Sequence, residues 1–318
     1  MNLVFLDSYA LNPGDLAWTP LEGYGPLTCY PRTKPEDVVQ RAAEADILIT
    51  NKVRLTEEIL TQLPKLRLIC EAATGYDNID VAAARRLGIA VTNVPAYSTL
   101  AVAQHTLALL FETTNHVGHY AAINAKGAWS NQPDFAYWEP ERPLVEVSSL
   151  RVAVVGYGHI GEKVAEVLVA LGAEVYVVTS RPATDLPEGA RKATMEEAFA
   201  ECDVVSLHCP LRDSNRGFVN DALLAKARRG LRIINTARGG LIDDAAVARA
   251  LHEGRLAAYC TDVMQPEPPA ADNPLLTAPN AYITQHIAWA SSAARQRILD
   301  IMHQNIDAFL AGESLNRV

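Results

Sequence analysis

The stretch Val152-Ala153-Val154-Val155-Gly156-Tyr157-Gly158-His159-Ile160-Gly161 decides how this chain is read. Four apolar residues run into a G-x-G-x-x-G turn. Val164, Val167, Leu168 and Leu171 follow at helical spacing, and then comes a second apolar run from Glu174 to Val178. A strand, a glycine turn and a helix in that order make one βαβ unit, the setting in which the glycine pattern marks a dinucleotide site. Gly156 permits the tight turn, Gly158 lets a pyrophosphate approach the backbone, and Gly161 lets the helix pack closely on the sheet. Tyr157, His159 and Ile160 belong to the same turn, with His159 expected as a surface residue near the pyrophosphate and not as a catalyst.

The motif sits halfway along 318 residues, so another domain precedes it. Single hydrophobic cores stop growing at roughly 250–300 residues, which also argues for about two domains. In the first hundred residues, apolar runs at Leu3 to Leu6, Leu27 to Tyr30, Ile47 to Thr50, Leu66 to Cys70 and Ile89 to Val91 alternate with helix-like segments. These segments are Pro35 to Ala45, Thr56 to Leu63 and Val81 to Leu87, and the alternation predicts a small parallel α/β domain. Beyond the glycine turn, strands are predicted at Val204 to Cys209, Arg232 to Thr236, Ala258 to Val263 and Tyr282 to Thr284. Their continuous apolar character suits a parallel sheet buried on both faces. A last helix, about Ser291 to Leu310, is expected to cross back onto the first domain. The predicted fold is α/β, with two Rossmann-like domains and parallel sheets. A cofactor domain at 98–289 is inserted into a discontinuous, flavodoxin-like substrate domain at 1–97 and 290–318.

A mostly apolar helix is predicted from Ser98 or Thr99, followed by a loop with Trp129, Phe135, Tyr137 and Trp138. The helix suits packing between domains or against a second subunit. The aromatics read equally as core plugs or as an arm over a dimer partner, so 98–148 is the expected dimerisation segment of a homodimer.

A net charge of -9 argues against a nucleic-acid or anionic-membrane surface. Five dispersed cysteines without C-x-x-C or metal-ligand spacing read as reduced thiols, and no metal is expected. The opening Met1 to Asp7 reads as a first strand and not a signal peptide, and no apolar stretch reaches membrane-spanning length. A cytoplasmic protein is expected.

An NAD-binding unit places an acidic residue about 20 residues beyond the glycines, at the adenosine ribose. Here strand two ends in Val178-Thr179-Ser180-Arg181. Arg181 could pair with a 2′-phosphate while Thr179 and Ser180 donate hydrogen bonds, so NADP(H) is expected, with NAD(H) as the alternative. Arg181 as a solvated surface charge is the competing reading.

Three stretches place polar groups at the carboxyl ends of predicted strands, where open α/β sheets hold their sites. They are Asn235-Thr236-Ala237-Arg238-Gly239-Gly240, then Asp262-Val-Met-Gln-Pro-Glu267-Pro, then Thr284-Gln-His286-Ile-Ala-Trp289. Alone, Arg238 reads equally as a surface arginine, Glu267 as a rim carboxylate and His286 as a structural histidine. Together, and in this order downstream of the glycine turn, they resemble the D-isomer-specific 2-hydroxyacid dehydrogenase family over essentially the whole chain.

The resemblance implies that Arg238 holds the substrate carboxylate and carbonyl oxygen, and that Glu267 pairs with the catalytic acid/base His286. It further implies a substrate loop at Ala73-Thr74-Gly75, with Lys52 nearby. Asp262 would receive the nicotinamide carboxamide, Thr236 and Ala237 would line the nicotinamide pocket, and His208-Cys209-Pro210 would flank the riboses. The implied reaction is NAD(P)H-dependent reduction of a small 2-keto acid, and its reverse. The segments Leu11 to Trp18, Ala73 to Asp80 and Trp289 are most similar to the glycerate dehydrogenase or hydroxypyruvate (glyoxylate) reductase branch. Trp289 would cap a site for a small polar substrate. The competing functions are oxidation of D-lactate, phosphite or formate, and a non-enzymatic dinucleotide-sensing protein-interaction module.

Overall fold

The computed structural model describes residues 1–318, which divide into two compact units: residues 1–98 with 289–318, and residues 99–288. The sheets have five and seven strands, every pairing parallel.

In the first unit, strands β1 (Leu3–Phe5), β2 (Leu27–Cys29), β3 (Ile47–Thr50), β4 (Leu68–Glu71) and β5 (Ala90–Thr92) lie in the order β2-β1-β3-β4-β5. This is the flavodoxin-like order, with its reversal between β1 and β3. The helix Ser292–Leu310 belongs to this unit and buries Ile298, Leu299, Met302 and Ile306. Its buried Arg295 forms a two-pronged pair with Asp15 at 2.7 and 2.6 Å. The chain end is thereby fastened to the loop after β1.

The second unit holds β6 (Arg151–Val155), β7 (Glu174–Val178), β8 (Ala190–Lys192), β9 (Val204–Leu207), β10 (Leu231–Asn235), β11 (Leu256–Thr261) and β12 (Ala281–Ile283). Their order is β12-β11-β10-β9-β6-β7-β8, so the doubly wound sheet reverses between β6 and β9. Val152 and Val154 face one core while Ala153 and Val155 face the other, the period-2 alternation of a sheet covered on both sides. The helix Thr99–Asn115 supplies Ala103, Leu109 and Leu110 to the Val152 side.

The sequence periodicity did not anticipate β8, a three-residue edge strand in a polar stretch, or the helices Val117–Asn124 and Met195–Glu201. The last of these starts at a Thr194/Glu197 capping box, a legible signal. Phe135 is 93% exposed and Trp138 59%, so these aromatics are not core plugs. No helix is long and apolar enough to cross a membrane.

Candidate active site

The reversal between β6 and β9 positions the dinucleotide motif, and the three glycines meet different physical demands there. Gly156 has φ +96°, and a Cβ on it would lie 2.6 Å from the Cys209 nitrogen, so the turn after β6 and the chain leaving β9 touch backbone to backbone. A Cβ on Gly161 would lie 2.1 Å from the Gly156 carbonyl oxygen, which is the close packing of helix on turn. A Cβ on Gly158 would meet nothing within 4 Å. Gly158 is also the N-cap of the helix His159–Ala170 and provides no side-chain cap. An open face at an uncapped helix N-terminus fits a pyrophosphate, since the first-turn amides and the helix dipole both favour an anion.

Around this opening, Tyr157 is buried and Arg181 lies over its ring at 5.5 Å. Thr179 accepts from the Arg181 amide at 3.1 Å, while Ser180 and His159 are exposed. The Arg181 guanidinium is 3.8 Å from the Glu162 carboxylate, both side chains more than 40% exposed, an arrangement worth little in water. Lys192 adds a second cation, donating to the Arg181 carbonyl at 2.7 Å. His208 is held neutral: burial pushes its pKa down to about 4, and it shares a 2.8 Å hydrogen bond with Ser206. Burial raises the pKa of the Cys209 thiol above its ordinary value, which disfavours the thiolate.

At the carboxyl ends of β10, β11 and β12, three polar groups gather. Glu267 Oε2 is 2.6 Å from His286 Nδ1, and Glu267 Oε1 accepts from the Met264 amide at 2.9 Å. The carboxylate is thus fixed at one oxygen and orients the imidazole with the other, leaving Nε2 for chemistry. Arg238 is exposed and donates to the Ala237 carbonyl at 2.8 Å, with no carboxylate within ion-pair distance. Gly239 lets these loops meet, because a Cβ there would fall 2.1 Å from the Met264 carbonyl carbon. Thr236 hydrogen-bonds Thr106 at 2.9 Å, and Asn235 accepts from the Ala237 amide at 3.1 Å, so the turn before Arg238 is itself held.

His286 has φ +56°, a left-handed conformation uncommon for a side chain of its size. Asp262 supports that turn. Its Oδ1 accepts from the Ile287 amide at 2.9 Å and from the Thr284 hydroxyl at 2.6 Å, and its Oδ2 from the Ala288 amide at 2.8 Å. The sequence offered Asp262 only as a cofactor contact. Both its oxygens hold the segment that carries His286.

In the first unit, the Ala73-Thr74-Gly75 loop leaves β4 and is anchored to the segment after β5. Thr74 donates to the Val94 carbonyl at 2.8 Å, and the Ala73 carbonyl accepts from the Val94 amide at 3.0 Å. The Ala73, Thr74 and Gly75 amides meet no acceptor of the chain. Lys52 follows β3 with its side chain exposed and its amide bound to Asp7 at 2.6 Å. Trp289 packs edge-on against Tyr97 at 6.3 Å between ring centroids.

Residues 107–288 match the model of the D-isomer specific 2-hydroxyacid dehydrogenase NAD-binding domain. The chain belongs to this family. The dehydrogenase is 40% identical to a hydroxypyruvate reductase of Blautia hydrogenotrophica over 100% of its own length and 99% of the relative's. It is 36% identical to a glycerate dehydrogenase of Methylorubrum extorquens, covering 89% and 88% of the two chains. A solved Thermus thermophilus protein superposes at a TM-score of 0.86 with 32% identity, over the full length of both chains. A nicotinamide dinucleotide is the dehydrogenase's cofactor, and the glycine turn described above fits it.

Several residues of the dehydrogenase escaped the sequence reading. Asp7 binds the Lys52 amide, His105 meets Thr284 and Lys192 donates to the Arg181 carbonyl, yet none of the three sits in a recognisable motif. The Arg238-Gly239 pair was legible as a signal, because a glycine directly after a polar strand end marks a close backbone approach.

Proposed function

We propose that this dehydrogenase reduces hydroxypyruvate or glyoxylate to D-glycerate or glycolate, and runs the reverse reaction, with His286 as acid/base. The observation that carries this is the 2.6 Å Glu267–His286 contact in the same unit as an uncompensated Arg238 and an open dinucleotide turn. The names of the relatives support the substrate. A bound nicotinamide dinucleotide supplies hydride to the substrate C2 in the reductive direction. Glu267 keeps the proton on His286 Nδ1 shared with its own carboxylate, which orients the ring so that Nε2 donates to the carbonyl oxygen. The Arg238 guanidinium offsets the substrate carboxylate and the oxyanion that develops at C2. Within the first unit, the Ala73, Thr74 and Gly75 amides meet no acceptor of the chain and suit an anion such as a carboxylate, and the exposed Lys52 adds positive potential to that unit.

Replacing His286 with Gln is expected to lower kcat about 10³-fold, the scale of general acid–base catalysis, with dinucleotide affinity retained. Turnover equal to the native enzyme's would refute the assignment. Initial rates with hydroxypyruvate, glyoxylate, pyruvate, phosphite and formate decide the substrate, and a higher kcat/KM for any of the last three would overturn it.

NADP(H) is the proposed coenzyme, supported by Arg181 and Lys192 beside a strand end that has no carboxylate. Arg181→Ala should raise the KM for NADPH about tenfold, equivalent to one charge-assisted hydrogen bond, and leave that for NADH nearly unchanged. A native preference for NADH would reverse this proposal. A homodimer is supported by Leu100, Val117, Trp129, Phe135, Trp138 and Leu144, all more than half exposed in the single chain. Five unpaired cysteines support a reducing, cytoplasmic setting.

A further inference from the structure

The helix Thr99–Asn115 is apolar along most of its buried face, yet two consecutive polar residues on it reach the catalytic strand ends. Thr106 meets Thr236 after β10, and His105 Nε2 meets the Thr284 hydroxyl after β12 at 2.9 Å. The direction of the second contact follows from proton counting. Thr284 has one hydroxyl proton and lies 2.6 Å from Asp262 Oδ1, an acceptor already receiving an amide, so the hydroxyl donates to the carboxylate. Its oxygen therefore accepts from His105, which must carry hydrogen on Nε2. The result is a directed chain, His105 N–H to Thr284 O–H to Asp262. It ends on the carboxylate that binds the Ile287 and Ala288 amides, immediately beyond His286. His105 Nε2 also lies 3.7 Å from Asp262 Oδ1, and Asp262 is only 2% exposed.

We infer that His105 is a positioning residue for the proposed acid/base. Through Thr284 it aims the Asp262 carboxylate so that the two amides after His286 stay bound and the left-handed turn holds its ring against Glu267. A hydroxyl left without its donor could rotate toward the Thr261 carbonyl, which it already approaches at 3.4 Å, and would then release Asp262 Oδ1. This inference rests on the reading of His286 as acid/base for its kinetic consequence, but not for its structural one.

The test uses the full chain with His105→Leu, His105→Gln and Thr284→Val, alone and as the His105→Leu/Thr284→Val double variant. Gln places an amide N–H where His105 Nε2 lies, and Val keeps the volume of Thr284 if the histidine variants fold poorly. In His105→Leu and in Thr284→Val, kcat should fall about 30-fold with the dinucleotide Kd within about threefold of native, since the loss lies in the reacting geometry and not in binding. His105→Gln should recover to within about threefold of native, and the double variant should be no worse than either single one, the signature of a shared chain. Hydrogen exchange at the Ile287 and Ala288 amides should quicken at least about tenfold in the Leu and Val variants, reporting the opened turn directly. Native exchange at these amides, a Gln variant no better than Leu, or single effects that multiply in the double variant would each overturn the inference. Exchange does not involve turnover, so failure of the acid/base reading shows in His286→Gln and failure of this one in the amides.

Discussion

The two units reverse their strand order in the same way and treat the resulting crevice in opposite ways. In the first, the reversal lies between β1 and β3, and the chain fills it with its own anion: Asp7 accepts from the Asn51, Lys52 and Val53 amides at 2.9, 2.6 and 3.3 Å. In the second, the reversal lies between β6 and β9, and the matching place is a bare Gly158 at an uncapped helix. Oriented amides at a switch point attract negative charge in either unit. What differs is that the chain supplies a fixed carboxylate in one and leaves the other open, where the proposed dinucleotide would bring its phosphates. An occupied crevice contributes rigidity to the loop bearing Lys52, and an open one contributes binding.

Closing the open crevice should cost the most. Gly158 has φ -90°, which other residues adopt, and its side-chain direction is empty, so Gly158→Val should fold with native thermal stability yet weaken dinucleotide binding about 100-fold. Fluorescence titration checks this, and native affinity would show that the open face is not the phosphate site. Opening the closed crevice comes next. Asp7→Asn turns an amide group toward three N–H donors and should cost about 2 kcal/mol in urea denaturation while leaving dinucleotide Kd unchanged. Unchanged stability would mean the carboxylate is incidental to the fold.

The smallest effect concerns Glu71, the last residue of β4, two positions before the 73–75 loop. Burial raises its pKa to about 9, against a hydrogen bond from Asn78 that lowers it, and its Oε1 has no partner. The side chain is therefore protonated in the folded protein at neutral pH. Between the ordinary carboxylate range and about pH 9, the unfolded chain has lost this proton and the folded one has kept it. The stability present at low pH therefore declines as pH rises through that window. Glu71→Gln should flatten that decline, raising the unfolding midpoint by a few degrees at pH 8 and leaving it nearly unchanged at pH 4. Equal shifts at both values would assign the effect to packing and not to titration.

Much of this arrangement was legible because it rests on local rules. The strand, glycine turn and helix at 152–171 follow from apolar periodicity, and the Arg238, Glu267 and His286 stretches stood out as polar breaks at the ends of apolar strands. The edge strand β8 was not legible, since Ala190-Arg191-Lys192 has no alternation and forms only because β7 offers unpaired backbone groups. Asp262 was legible as a residue, but its hydrogen bonds were not, because its partners at 284, 287 and 288 are more than 20 positions away.

By itself, the sequence determined two parallel α/β units, the place of the dinucleotide turn and the residue types for acid–base chemistry, because periodicity and glycine spacing act over a few neighbouring positions. The three-dimensional fold sets the rest: Asp7 fills one switch point while Gly158 leaves the other open, and His105, Thr284 and Asp262 form one hydrogen-bonded chain to the turn after His286. These are hydrogen bonds between residues far apart in the chain, and their partners are set by which strand ends the sheet order brings side by side.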